Sequence, residues 1–135
     1  MLGLTLVAMA LPETAFAATS GPARVIDGDK GMVWGPGIVA GTGLPGRKGL
    51  SVIAGHRDSH MVFLGKIRTG DVVKITSVDG QETEYRVSGA MVVDSSRWSP
   101  HVDREAQSAL YMLTCWPLDG QETTSKRLVV AANLI

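Results

Sequence analysis

At 135 residues the chain suits one domain, large enough to bury about two-thirds of its unfolded surface. Thirteen basic residues balance thirteen acidic ones and only 5% of residues are aromatic, which argues against nucleic acid as a partner, since that needs a basic face and stacking rings. Sixteen glycines among short Val/Ile runs point to short strands and many turns, and a single cysteine excludes an internal disulfide while leaving the redox compartment open.

The first eighteen residues are apolar, with Leu2, Leu4, Leu6, Val7 and Met9 ahead of Pro12. They end in Ala15-Phe16-Ala17, the small-x-small form of a signal-peptidase site. The run is short for a membrane span, and no basic residue precedes Arg24. Residues 1–20 are therefore expected to be a signal peptide or the clipped end of a signal anchor, and residues 21–135 the folded domain. An ordinary buried strand or helix is the competing reading of the same run.

Residues 21–49 read as loops joining short strands near Arg24–Ile26 and Met32–Trp34. Leu50–Ala54 is an apolar strand ending at Gly55-His56. Ser59 is placed to cap one or two helical turns, with Met61, Leu64 and Ile67 facing inward. Val72–Val78 and Thr83–Val87 read as strands joined by the hairpin pair Asp79-Gly80, with Tyr85 and Val87 inward and Glu84 and Arg86 outward. Ala90–Val93 continues as a strand. Ser99 at the N-cap and Pro100 at the first helical position predict a short helix towards Gln107. Leu110–Cys115 is a buried strand bounded by Pro117 and Asp119-Gly120, and Leu128–Ile135 closes the domain. Asp-Gly-Gln-Glu-Thr occurs at 79–83 and at 119–123, which reads as shared turn chemistry. Short strands with turns between them predict a small closed or sandwich-like β fold.

The lone thiol, Cys115, sits at the end of a strand, where a side chain meets solvent while its backbone stays fixed. It is either inert packing or chemistry. His56 also ends a strand, and Lys126-Arg127 opens one, so nucleophile, acid/base and anion clamp are all available. His56 and His60 have helical i,i+4 spacing, but His56 sits at a strand end with no Glu between and no third ligand, so no metal is expected. His101 lies in a polar segment and reads as surface. Asp58 would orient a histidine or cap a turn, and Trp116 would shield the thiol.

Thr114-Cys115-Trp116-Pro117 resembles the Thr-Cys-aromatic-Pro end of the catalytic strand in sortases, the cysteine transpeptidases of bacterial envelopes. Ala54-Gly55-His56-Arg57-Asp58 with Phe63-Leu64 is similar to that family's histidine motif, Arg127-Leu-Val-Val130 to its arginine strand, and Gly35-Pro36-Gly37 to a turn ahead of the histidine. The likeness runs from about Val25 to the C-terminus. It implies an all-β, sortase-type barrel of about eight strands with one or two short helices. It also implies Cys115 as nucleophile, His56 as general acid/base and Arg127 as oxyanion or substrate clamp, with Thr114, Trp116 and Asp58 helping to shape the substrate site. No cofactor is implied. The implied partners are an exported protein with a Leu-Pro-x-Thr-type sorting signal and an amine acceptor in the envelope, with membrane association through the N-terminus.

Two departures stand out. The family often has Thr-Leu-x-Thr-Cys, whereas Tyr111-Met112-Leu113 precedes Thr114-Cys115 here, which loses one hydroxyl. Only Thr19–Arg24 separates the apolar start from Val25, so the barrel is expected to lack a first strand and to expose an edge. Leu11-Pro-Glu-Thr-Ala15 looks like a sorting signal, though a Pro breaker after an apolar run is the plainer reading. Outside catalysis, the alternative is a non-catalytic or truncated envelope β-barrel module with Cys115 buried and inert.

Overall fold

The structure, a computed structural model, describes residues 4–10, 14–18, 24–26, 37–39, 42–56, 61–77, 82–119 and 124–135. Its strands are β1 (Leu4–Ala10), β2 (Thr14–Ala18), β3 (Arg24–Ile26), β4 (Gly37–Val39), β5 (Leu50–Ala54), β6 (Val72–Ser77), β7 (Glu82–Asp94), β8 (Ala109–Cys115) and β9 (Lys126–Leu134), with one 3-10 turn at Val62–Gly65. They form one sheet in the order β2-β1-β6-β7-β9-β8-β5-β4-β3. The β5–β8 and β3–β4 pairs are parallel, the rest antiparallel.

Strand periodicity decides which face is inside. On β8, Leu110, Met112 and Thr114 are buried, while Tyr111, Leu113 and Cys115 between them are half-buried. Register carries that inner face sideways, with Ala132, Val130 and Leu128 of β9 opposite Leu110, Met112 and Thr114. Inner residues of β4 to β9 join Met61, Phe63 and Leu64 in one cluster, so the sheet curls into a half-barrel around a single core. Each fully buried large side chain there contributes about 1.5–3 kcal/mol. Tyr85 and Val87 face inward and Glu84 and Arg86 outward, as their alternation predicts.

Thr83–Val87 and Ala90–Val93 form one continuous strand: an irregularity lies between Val87 and Gly89, and β7 runs on along β9 to Asp94. Its first half pairs with both β6 and β9, its second half with β9 alone.

The helix expected from Ser99 to Gln107 does not form. The Asp103 carboxylate accepts the Glu105 N–H (2.9 Å), and the Ala106 carbonyl accepts the Gly49 N–H (2.8 Å), so the groups a helix would use are spent elsewhere. Gly49 permits that approach: its φ is 91°, and a Cβ there would lie 3.0 Å from the Asp103 carbonyl oxygen.

The first strand expected to be missing is present: β1 pairs along β6 from Leu4↔Ser77 to Met9↔Val72 and β2 pairs outside β1, which puts the sheet's edges at β2 and β3. The apolar run expected to direct export thus supplies two strands. Met32–Trp34, Ser59 and Asp79-Gly80 lie outside the described residues. The turn expected after Ser59 is the Val62–Gly65 element, with Met61 and Leu64 buried and Ile67 packed on the core.

At the end of the sheet where β9 finishes, Tyr85 is fully buried. Its hydroxyl accepts the Gly46 N–H (2.7 Å) and shares a hydrogen bond with the Ser108 hydroxyl (2.9 Å). That bond fastens the loop before β5 and the segment before β8 to the core. Gly46 has φ 87°, and a Cβ would meet Thr83 Oγ1 at 2.9 Å, so only glycine seats this turn.

Candidate active site

Cys115 is the last residue of β8 and is flanked on both sides. On one side it stands directly opposite Arg127 of antiparallel β9. On the other, parallel β5 ends at Ala54↔Leu113, and the Gly55 N–H still reaches the Leu113 carbonyl (3.1 Å). His56 follows two residues after β5 ends. The order β9-β8-β5 therefore puts Arg127, Cys115 and His56 at or just past neighbouring strand ends, with adjacent strands about 4.8 Å apart. Cys115, His56 and Arg127 are all half-buried, accessible from one side and supported from the other.

Local chemistry fixes each of them. The His56 carbonyl accepts the N–H of Met61 (3.1 Å), a fully buried residue, which anchors the chain just after the histidine. Arg127 Nη1 donates to the carbonyls of Thr124 (2.8 Å) and Lys126 (2.9 Å), tying the guanidinium to the end of the β8–β9 connection. That connection is pinned where it leaves the sheet: the Trp116 N–H donates to the Lys126 carbonyl, and Thr124 Oγ1 donates to the Trp116 carbonyl.

The other expected site residues fall differently. Thr114 is buried on the core side, and its hydroxyl donates to the Gly55 carbonyl (2.9 Å). Trp116 packs against the hydrophobic core. Asp58 lies outside the described residues. His101 is exposed, and among the described residues no three His, Cys, Asp or Glu side chains gather as a metal site.

Sequence reasoning missed Trp98, whose ring stacks on Tyr111 with centroids 6.3 Å apart and 28° between planes. This lays the segment after β7 on the outer face of β8, where neighbouring Val129 of β9 is fully buried. Nothing in the local sequence announces that contact.

A sortase domain model matches residues 12–135, and the chain belongs to the sortase family. Sortases are, as a class, cysteine transpeptidases associated with the cell envelope. Among solved structures, the chain is similar to sortase C2 of pilus island 1 from Group B Streptococcus, at 24% identity and a TM-score of 0.72 over 96% of this chain and 73% of that one. It also resembles a lid mutant of sortase A from Corynebacterium diphtheriae (23%, 0.75, 97% and 70%) and a sortase D5 transpeptidase from Clostridium perfringens (21%, 0.68, 97% and 78%). At these identities the likeness establishes the shared β fold. A search of curated proteins found no match. Among the described residues no helix is long and apolar enough to cross a membrane.

Proposed function

We propose that the chain is a cysteine transpeptidase that cleaves a Leu-Pro-x-Thr-type sorting signal on an exported protein and passes the acyl group to an amine in the cell envelope. The observation that carries this reading is the neighbourhood of three strand ends: a half-exposed thiol on β8, an arginine in register on β9 and a histidine two residues beyond β5.

In this mechanism the Cys115 thiolate adds to the carbonyl carbon of the scissile amide, and the carbonyl electron pair moves onto oxygen. Arg127, a permanent cation, holds that oxygen or a neighbouring substrate carbonyl. The C–N bond then breaks, and His56 gives its proton to the departing amine, leaving a thioester. The acceptor amine attacks the thioester and returns a proton to His56, and the new amide leaves with the Cys115 thiolate restored.

The site would work outside the cytoplasm. The apolar N-terminal run supports export and association with the membrane, and fractionation showing full-length protein only in the cytoplasm would overturn that part.

Mass spectrometry of the protein mixed with a panel of sorting-signal peptides tests the chemistry. The expected result is a covalent adduct at Cys115 equal in mass to the peptide's acyl portion, discharged by an added amine. Absence of any adduct, together with a Cys115 that iodoacetamide reaches only after denaturation, would instead mark the thiol as inert packing.

A further inference from the structure

We propose that the main-chain N–H of Cys115 is an oxyanion donor, and that Thr114 is the positioning residue that keeps this N–H free. The proposal rests on the transpeptidase reading and adds a group and a role to it.

Backbone direction alternates along a strand. The Trp116 N–H points to β9, where it donates to the Lys126 carbonyl, so the Cys115 N–H points the other way, to β5. A regular parallel ladder that includes Gly55 N–H to Leu113 O would continue with Cys115 N–H to Gly55 O. Among the described residues that bond is not made. The Gly55 carbonyl accepts the Thr114 hydroxyl instead, at 2.9 Å and from the core side. Thr114 is 2% exposed, so it meets no substrate and acts only through this bond. The outcome is an unpaired amide on the nucleophile's own residue, where the ladder has just ended.

Buried main-chain donors are nearly always paired, so one left open beside a half-exposed thiol waits for an incoming acceptor. When Sγ adds to the scissile carbonyl carbon, the electron pair displaced onto oxygen becomes that acceptor. The amide lies on the β5 flank of the thiol and Arg127 on the β9 flank, so the two donors approach from opposite sides. When the amine departs with the proton from His56, the oxygen reverts to a carbonyl and the hydrogen bond weakens, which is the differential binding catalysis requires.

Two measurements on the full chain test this. Amide hydrogen exchange followed by NMR should show the Cys115 N–H exchanging at least tenfold faster than those of Leu113 and Thr114. In Thr114→Val the Gly55 carbonyl is released to the ladder, and the Cys115 amide should slow. A Cys115 amide as protected as its neighbours in the unaltered chain overturns the proposal, whatever the activity. In the second measurement, Thr114→Val should lower the rate of acyl-enzyme formation at least tenfold. Alkylation of Cys115 by iodoacetamide, which expels iodide and forms no oxyanion, should stay within about twofold. Thr114→Ser should restore acylation. Equal loss in acylation and alkylation would show general damage to the site, and no loss in either would show that the hydroxyl is idle; both overturn the proposal. If the unaltered chain forms no adduct with any peptide, the transpeptidase reading fails, while the exchange result still decides whether the amide is free.

Discussion

The two ends of β9 follow opposite rules. Near Leu134, Tyr85 is sealed in the core with its hydroxyl bonded to both Gly46 and Ser108. Near Arg127, about 23 Å away along the strand, Cys115, His56 and Arg127 are left half-exposed. One end ties its buried phenol to two partners; the other leaves a thiol, an imidazole and a guanidinium in reach of solvent. A marginally stable domain can hold such a site only when its fixing contacts lie elsewhere, so the sealed end carries stability and the open end is available for chemistry.

The sharpest way to break this contrast is Cys115→Ala. Acyl-enzyme formation should vanish while the melting temperature moves by no more than a few degrees, because a half-buried thiol is replaced by a methyl group. Residual turnover would remove Cys115 from the nucleophile's role. Arg127→Lys keeps the charge and loses the planar fork that holds the Thr124 and Lys126 carbonyls. Its kcat/KM should fall by about tenfold or more, worth at least 1.4 kcal/mol in the barrier. A rate near that of the unaltered chain would show that charge alone suffices.

Tyr85→Phe probes the sealed end. Removing the hydroxyl orphans the Gly46 N–H and should destabilise the fold by about 1–3 kcal/mol, read as a lower melting temperature, with the acylation rate unchanged. Loss of rate in step with stability would mean that the two ends are not independent.

The smallest effect belongs to Asp94, at the exposed turn after β7. The Ser96 hydroxyl and then the Ser96 N–H hold its carboxyl below the ordinary 3.8, with Ser125 and Lys126 adding to the shift. A lowered folded-state value means stability that is present above the unfolded value and lost as pH falls through the folded one. Asp94→Asn should therefore melt slightly lower near neutrality and identically at a pH well below 3.8. A gap that persisted in acid would show that shape, not charge, holds the turn.

Much of this was legible in the sequence wherever one physical signal dominated. Leu50–Ala54 reads as a strand from apolar run and flanking turn and ends where expected. The Tyr85/Val87 alternation names its own face. Thr114 is instructive, because strand periodicity alone turns it inward if Cys115 faces out, whereas adjacency to the nucleophile suggested the substrate side. Ala90–Val93 reads as a continuing strand, and pairing with β9 carries β7 through the irregularity at Gly89. The Ser99-Pro100 helix signal is sound locally and loses to Asp103 and Gly49, contacts that arise only once the chain has folded. For the N-terminal run, export and strand pairing ask for the same apolar residues, so composition cannot separate them.

The bond between Thr114 and Gly55 spans 59 positions of chain, and the whole β5–β8 pairing has the same reach. Contacts of such span close late, since chain entropy must be surrendered before pairing repays any of it. The β6–β7 and β8–β9 hairpins are local by comparison and can assemble early. A refolding chain therefore acquires Cys115 beside Arg127 before either meets the chain end of β5 that leads to His56.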